Sequence, residues 1–385
     1  MSPALRMAMQ YALLFGASGV SLPFASLWFR AQGLTGAQIG VILAAPMLAR
    51  VFTGPLLAVW ADGFRLRRTA IGLLGVLMAA GYGGTLLTQS PSLWALLWFL
   101  GATAAAALIP LTDVLTLRLA ARAGFSFSLP RGCGSLAFVV ANLAMGAVLL
   151  TAPPDVIIWW IAGCGLAVAL AGVLLLPSVP VDENGTGVGR WDRFRGLADL
   201  LTRRRFMLTI LAVGLIQATH AFQYGFSALL WRGQGISEAV VGQLWAFGVV
   251  VEIALMWLIE PWRRRRGVSP WTMLALGSGA AVLRWTLMAF APPLWALWPL
   301  QALHALTFAA TFLAGVQIVE GLARPDLQTA AQTLSSALSA GLLIGLATLA
   351  SGVLYDRVGA GGYLAMAGMA LAGLGLVVSL RSRRA

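Results

Sequence analysis

Residues 24–40 read FASLWFRAQGLTGAQIG, and residues 226–242 read FSALLWRGQGISEAVVG. The second stretch repeats the first at an offset of 202 positions (24 to 226). Phe24/Phe226, Leu27/Leu229, Arg30/Arg232, Gln32/Gln234, Gly33/Gly235, Ala37/Ala239 and Gly40/Gly242 are identical. Each copy joins the end of one apolar run to the start of the next. A repeat of about 200 residues, each holding several membrane spans, is the mark of a transporter built from two similar halves. The same offset carries Arg50 onto Glu252, so the halves set opposite charges at matching depths. Function is therefore expected to involve both halves.

Composition agrees. The 385 residues are 59% hydrophobic and 10% charged, with a mean hydropathy of +0.86, which is the profile of a polytopic membrane protein. All 26 basic residues are arginine, and the net charge is +13. No nucleic-acid partner is expected, because the arginines sit in short caps between apolar runs, where membrane topology explains them. Cys133 and Cys164 lie inside apolar runs, so neither a disulfide framework nor a metal site is expected. No cleavable signal peptide is evident, since the first apolar run is long and no clear small-residue cleavage site follows it.

The hydropathy pattern predicts an all-α protein of twelve spans, near 7–29, 39–60, 69–88, 94–118, 131–151, 156–176, 206–231, 239–260, 271–290, 294–320, 328–354 and 362–380. Each can cross roughly 30 Å of hydrocarbon as a helix that satisfies its own backbone. Small-residue pairs such as Gly341/Gly345 and Gly368/Ala372 suit close helix contacts. The expected division is 1–176 and 206–385 as two six-helix bundles, with 177–205 as a polar linker. An Asp182–Gly185 turn in the linker is followed by Phe194–Arg205, which has the pattern of a surface amphipathic helix. Gly185, Gly187 and Gly189 lack the flanking strand and helix of a nucleotide-binding turn.

Orientation follows from the arginines. Twenty-one of the 26 fall on one side of the predicted spans, Arg30, Arg232 and Arg357 fall on the other, and Arg50 and Arg284 sit within spans. The positive-inside rule then places both termini and the linker in the cytoplasm.

The turn after the second span reads AVWADGFRLRR, Ala58–Arg68. With two six-span halves and a long linker, it resembles the major facilitator superfamily, whose loop runs G-x-x-x-D-x-x-G-R-[KR]. Asp62 and the basic end, Arg65, Arg67 and Arg68, are present, while Ala58 replaces the first glycine. The resemblance implies that these residues gate the cytoplasmic helix ends. The second-half counterpart, Glu260–Arg266, is degenerate, although Trp60 and Trp262 correspond.

PLTD (110–113), RGCGSLAFV (131–139), QATHAFQYGFSALLW (217–231), LRW (283–285) and QALH (301–304) resemble, in the same order, segments of the 3-phenylpropionate permease group. More distantly the chain is similar to the lactose permease group, in which a span-four carboxylate three residues after a proline precedes a span-five arginine by eighteen. Asp113 and Arg131 keep both spacings, and Arg284 and His304 keep that group's spacing of a span-nine arginine and a span-ten histidine. Thr307 stands where that group has a second carboxylate, and Glu252 lies about one turn beyond its span-eight carboxylate. The proton route therefore does not carry over unchanged.

The residues also speak for themselves, because an ionisable group at membrane depth is costly unless it is paired or faces water. Asp113 and Arg131 form either a solute-binding pair or an ion pair stapling spans four and five. Arg50 is equally a packing charge or a binding group. Glu252, Arg284 and His304 form either a proton-coupling constellation or a neutral structural network. Each histidine sits in a Q-x-x-H, Gln217/His220 and Gln301/His304, and Tyr224 extends the first face by a turn, so Gln217, His220, Tyr224 and Gln301 form either a solvated polar stripe that binds solute or satisfied packing groups. Phe24, Trp28, Tyr224, Trp231 and Trp245 are candidates for an apolar stacking surface, or for packing.

No H-E-x-x-H, G-x-S-x-G or Walker sequence occurs, so neither an enzyme nor an ATP-driven pump is expected. No cofactor is called for, and the proton gradient supplies the energy. The expectation is a monomeric secondary transporter of a bacterial inner membrane, moving a small organic solute by alternating access with proton symport. Resemblance favours an aromatic or other small organic acid such as 3-phenylpropionate. A sugar or nucleoside is the alternative, and a solute-sensing receptor without flux is the alternative of another class.

Overall fold

The computed structural model describes residues 1–181 and 197–382. The expected Asp182–Gly185 turn, Gly187, Gly189, Arg190, Arg193, Phe194, Arg195, Arg383 and Arg384 lie outside them. Among the described residues the chain is helical apart from one antiparallel bridge, Leu66 with Pro180.

The repeated stretch shows why its identities recur. α1 (Pro3–Ala31) ends where Gly33 takes φ 84°, and α9 (Ala221–Gly233) ends where Gly235 takes φ 79°. Leu34 N–H then donates to Phe29 O at 3.2 Å and Ile236 N–H to Trp231 O at 2.9 Å. These are the six-to-one bonds of a Schellman end, which needs a left-handed residue that glycine supplies without strain. In the first copy Thr35 and Gln38 form a capping box (Thr35 N to Gln38 Oε1 2.9 Å, Gln38 N to Thr35 Oγ1 3.2 Å) that starts α2, Gly36–Ala61. Helix stop and helix start are thus written into one repeated stretch.

The other helices are α3 (Arg67–Gly84), α4 (Pro91–Ala123), α5 (Ser128–Val148), α6 (Asp155–Leu174), α7 (Leu197–Thr202), α8 (Arg204–Ala218), α10 (Glu238–Ala254), α11 (Glu260–Arg265), α12 (Pro270–Met288), α13 (Leu294–Ala302), α14 (Thr311–Leu322), α15 (Gln328–Ser336), α16 (Ile344–Val358) and α17 (Tyr363–Ser382). π-helical segments at Leu255–Ile259, Ala305–Ala310 and Ala337–Leu343 join α10 to α11, follow α13, and join α15 to α16. Ten helical runs among the described residues are long and apolar enough to span a membrane. The expected spans 328–354 and 362–380 fall in a single run, Gln328–Ser382, and α12, the expected span 271–290, is not among the ten.

Contacts divide the chain into two compact units. The first contains Met1–Leu34, Phe52–Arg190 and Ser237–Ala246, and the second Thr35–Val51, Trp191–Ile236 and Phe247–Ala385. α2 and α10 are therefore each divided between the units.

In the first unit α1 packs on α5 and α6, and α3 on α4 and α6. The α3–α6 approach is close enough that a Cβ on Gly75 would lie 2.5 Å from Ala169 N. Trp28 is buried, edge-on to Trp94 with ring centres 5.7 Å apart, and its indole N–H donates to Asp155 Oδ1 at 2.7 Å. Phe24 and Trp245 of this unit, and Trp231 of the second, are buried as well.

In the second unit α12 packs on α17, and α8 on α17 and α14. The first turns of α2 seat on α16: Gly36 N–H and Ala37 N–H donate to the Asp356 carboxylate at 2.8 and 2.7 Å. A Cβ on Gly40 would lie 2.9 Å from Gly352 Cα. In the described part of the expected surface helix, α7 instead turns Leu200 into a buried cluster with Phe206, Ile210 and Val319. Leu200 gains more from full burial in that cluster than from a membrane surface that would leave part of it in contact with water.

Candidate functional site

In the first unit, the arginine that opens α5 meets the third and fourth turns of α1. Arg131 and Gly134 share a face at i, i+3, and so do Tyr11 and Phe15 at i, i+4. Gly134 makes room for that meeting, since a Cβ there would lie 2.9 Å from Phe15 Cδ2 and 3.3 Å from Tyr11 Cβ. Asp113, one turn after Pro110 in α4, completes the group. The fully buried Tyr11 donates its hydroxyl to Asp113 Oδ1 at 2.5 Å. Arg131 reaches the same oxygen only at 3.8 Å and through Nε, with both side chains about one-third exposed (34% and 32%). Its guanidinium carbon lies 4.2 Å from the Phe15 ring centre and 5.5 Å from that of Tyr11. Among the described residues no hydrogen-bond partner meets the Arg131 Nη atoms. A guanidinium cushioned on aromatic faces with its fork open is suited to a carboxylate.

In the second unit, the polar residues gather where helices lose regularity. The chain breaks between α8 and α9 at Thr219 and His220, and the π segment Ala305–Ala310 begins just after His304 and contains Thr307. Such bulges rotate side chains inward and recur at functional sites. Arg284 of α12 is fully buried at the centre. Its Nη2 donates to Gln301 Oε1 at 2.6 Å and to Gln223 Oε1 at 2.7 Å. Its Nη1 donates to Thr307 Oγ1 at 3.0 Å and faces His304 Nδ1 at 3.3 Å. Every acceptor is neutral, and Nε is buried without one. Glu252 Oε2 stands 3.7 Å from His304 Nε2.

The partners fix both histidine tautomers. Gln217 O, 3.0 Å from His220 Nδ1, can only accept, so that nitrogen carries the hydrogen and Nε2 accepts from the Thr307 hydroxyl at 3.0 Å. Arg284 can only donate, so His304 Nδ1 is the lone pair and Nε2–H is directed to Glu252. A proton added at His304 Nδ1 would set two donors face to face.

Gln301, His220, Arg284, His304 and Glu252 thus meet. Tyr224 lies at the edge, its ring 5.7 Å from His220. Gln217 turns away, donating to Phe308 O at 3.1 Å and Thr311 Oγ1 at 2.7 Å, and contributes its carbonyl instead. Gln223, Thr307, Tyr11 and Phe15 belong to these groups without having been expected. Gln223 had a signal, standing one turn beyond His220 as Gln217 stands one turn before it. Arg50 is partly buried and makes no ion pair among the described residues.

The gating-loop candidates grip the start of the linker. Asp62 and Arg67 are 3.8 Å apart, and Arg67 N–H donates to Val179 O while Val181 N–H donates to Arg65 O, both at 3.1 Å. The Arg67 side chain reaches Val181 O at 3.2 Å, Arg68 reaches Leu176 O at 3.4 Å, Arg118 reaches Val181 O at 3.0 Å, and Arg6 reaches Leu175 O at 3.2 Å. Arg6 and Arg68 thus sit at the carbonyl end of α6, where a helix dipole favours cations, while Arg67 and Arg118 hold Val181 beyond it. In the second half, Glu260 and Arg263 form a buried bidentate pair at 2.7 and 2.8 Å, joined by Arg264 at 2.8 Å and Gln317 at 3.2 Å.

Known proteins share this architecture. The crystal structure of nucleoside transporter NupG matches with TM-score 0.82 over 99% of each chain at 17% identity, a likeness of fold. The "Probable 3-phenylpropionic acid transporter" of Escherichia coli (strain K12) is 31% identical over 375 residues, 95% of this chain and 94% of the relative. Maltose permease of Geobacillus stearothermophilus is 29% identical over 351 residues, 90% of this chain and 86% of the relative. The family model that matches residues 4–364 is the MFS_1 like family. The chain is an all-α polytopic membrane transporter, not an enzyme, and belongs to the MFS_1 like family of the major facilitator superfamily.

Proposed function

We propose that this transporter carries a small organic acid, with an aromatic carboxylate as the best-fitting class, by proton-coupled symport across a bacterial inner membrane. The observation that carries the reading is Arg131, whose Nη fork is open above the ring of Phe15. A carboxylate on that fork would bring an aryl group beside Phe15 and Tyr11. The name of the Escherichia coli relative supports the same class. Alternating access would move residues 1–176 against 206–385, with 177–205 and both termini in the cytoplasm. Asp62, Arg65, Arg67 and Arg68 would set how firmly the linker is tied. Glu252 would carry the proton, with His304 and Arg284 holding it in register.

A sugar or nucleoside is the second reading, and the neutral acceptors Gln223, Gln301 and Thr307 favour it, because amides and hydroxyls suit a polyol. Uptake into proteoliposomes of labelled 3-phenylpropionate, maltose and uridine, driven by an inward pH gradient, tests both. Saturable, uncoupler-sensitive uptake of the acid alone is expected. Uptake confined to maltose or uridine would replace the first reading with the second.

A further inference from the structure

A carboxylate and a guanidinium left to themselves close into a fork of short parallel bonds, about 2.7–2.9 Å each. Asp113 and Arg131 have not closed. The oxygen that Arg131 approaches at 3.8 Å is the one that Tyr11 holds at 2.5 Å. We infer that Tyr11 is a positioning residue for solute recognition, one that satisfies Asp113 and so keeps the Arg131 fork open. The inference rests on the reading of Arg131 as the seat of the solute carboxylate.

Three features of the first unit hold Tyr11 to this task. It is fully buried on α1, so its ring cannot swing away without displacing its neighbours. Phe127 lies edge-on to it at 6.5 Å and 88°. Across the contact Gly134 leaves no side chain to wedge between α5 and the Tyr11–Phe15 face. Phe15, stacked under Arg131, keeps the guanidinium on the aromatic side of the group. An incoming carboxylate then meets an arginine already desolvated on one face and not committed to Asp113. Without the Tyr11 hydroxyl, that Asp113 oxygen loses its protein partner, and Arg131 is the nearest charged donor to replace it. A solute would have to break that closed pair.

The test is the kinetics of labelled 3-phenylpropionate uptake into proteoliposomes. Tyr11→Phe should raise KM about tenfold, the loss of about one charge-assisted bond, while Vmax stays within about twofold. Tyr11→Phe/Asp113→Asn should return KM toward the parent value, since an amide cannot lock the guanidinium. Asp113→Glu is the second route should Tyr11→Phe fold poorly. Its longer carboxylate reaches Arg131 past Tyr11, and KM should rise as well. A Tyr11→Phe or Asp113→Glu protein with unchanged KM, while Arg131→Gln raises it, overturns the inference and leaves Arg131 as the seat. So does a raised KM that Asp113→Asn fails to restore, which would make Tyr11 a direct solute contact. An unchanged KM in Arg131→Gln, or no saturable uptake by the parent, overturns the reading itself.

Discussion

In the proposed proton coupling Glu252 is the carrier, its carboxylate 3.7 Å from His304 Nε2 while Arg284 faces the opposite nitrogen. Glu252→Gln should retain exchange of solute across the membrane, which needs no net proton movement, and lose uphill uptake driven by a pH gradient. Both are read in proteoliposomes with labelled 3-phenylpropionate. Uphill uptake surviving in Glu252→Gln, but lost in Asp113→Asn with exchange intact, would move the proton to the first unit. The sequence was informative here wherever charge made a residue conspicuous. Asp113, Arg131, Glu252, Arg284 and His304 stand out because ionisable groups at membrane depth are rare. Tyr11 does not, since a tyrosine in an apolar run is ordinary and its acceptor lies 102 residues away. Thr307 registers in the sequence as a missing carboxylate, and only the π segment turns its hydroxyl toward Arg284 and His220.

Elements end in this protein on charge clusters that the loop motif only outlines. The arginines of the first half are tied to the carbonyls of residues 175–181, partners that no loop pattern names. The run Glu260–Arg266, degenerate as a motif, closes on itself: Glu260 and Arg263 are each only 8% exposed in their side chains, and Gln317 of α14 joins them. Removing one member of such a pair strands the other. Glu260→Gln should therefore destabilise the protein by about 3–5 kcal/mol. Glu260→Gln/Arg263→Met should recover most of that loss, because no buried charge is then left alone. Thermal unfolding in detergent reads both, and a single variant as stable as the parent would show that solvent reaches Arg263.

At the scale of the whole molecule the all-α membrane class was legible, since a periodic hydropathy suffices for it. What the repeat does not reveal is that α2 and α10 are each divided between compact units, because that depends on contacts such as Gly40 with Gly352. Its arginine bias makes a further prediction. Reporter tags at Met1 and Ala385 should both be shielded from impermeant reagents in intact cells, while a cysteine replacing Arg357 should be labelled. A tag at either terminus that reacts from outside would break the arrangement. Asp356, which caps α2 at Gly36 and Ala37, lies 320 and 319 residues beyond them. A ribosome adding about 5–20 residues per second reaches it on the order of half a minute after the start of α2 has emerged. Through that interval the first amides of α2 meet water, lipid or the insertion machinery instead of their carboxylate. The helix that is translated second is thus completed almost last, and a nascent chain that stops short of Asp356 keeps the Thr35–Gln38 capping box but leaves the Gly36 and Ala37 amides without their carboxylate.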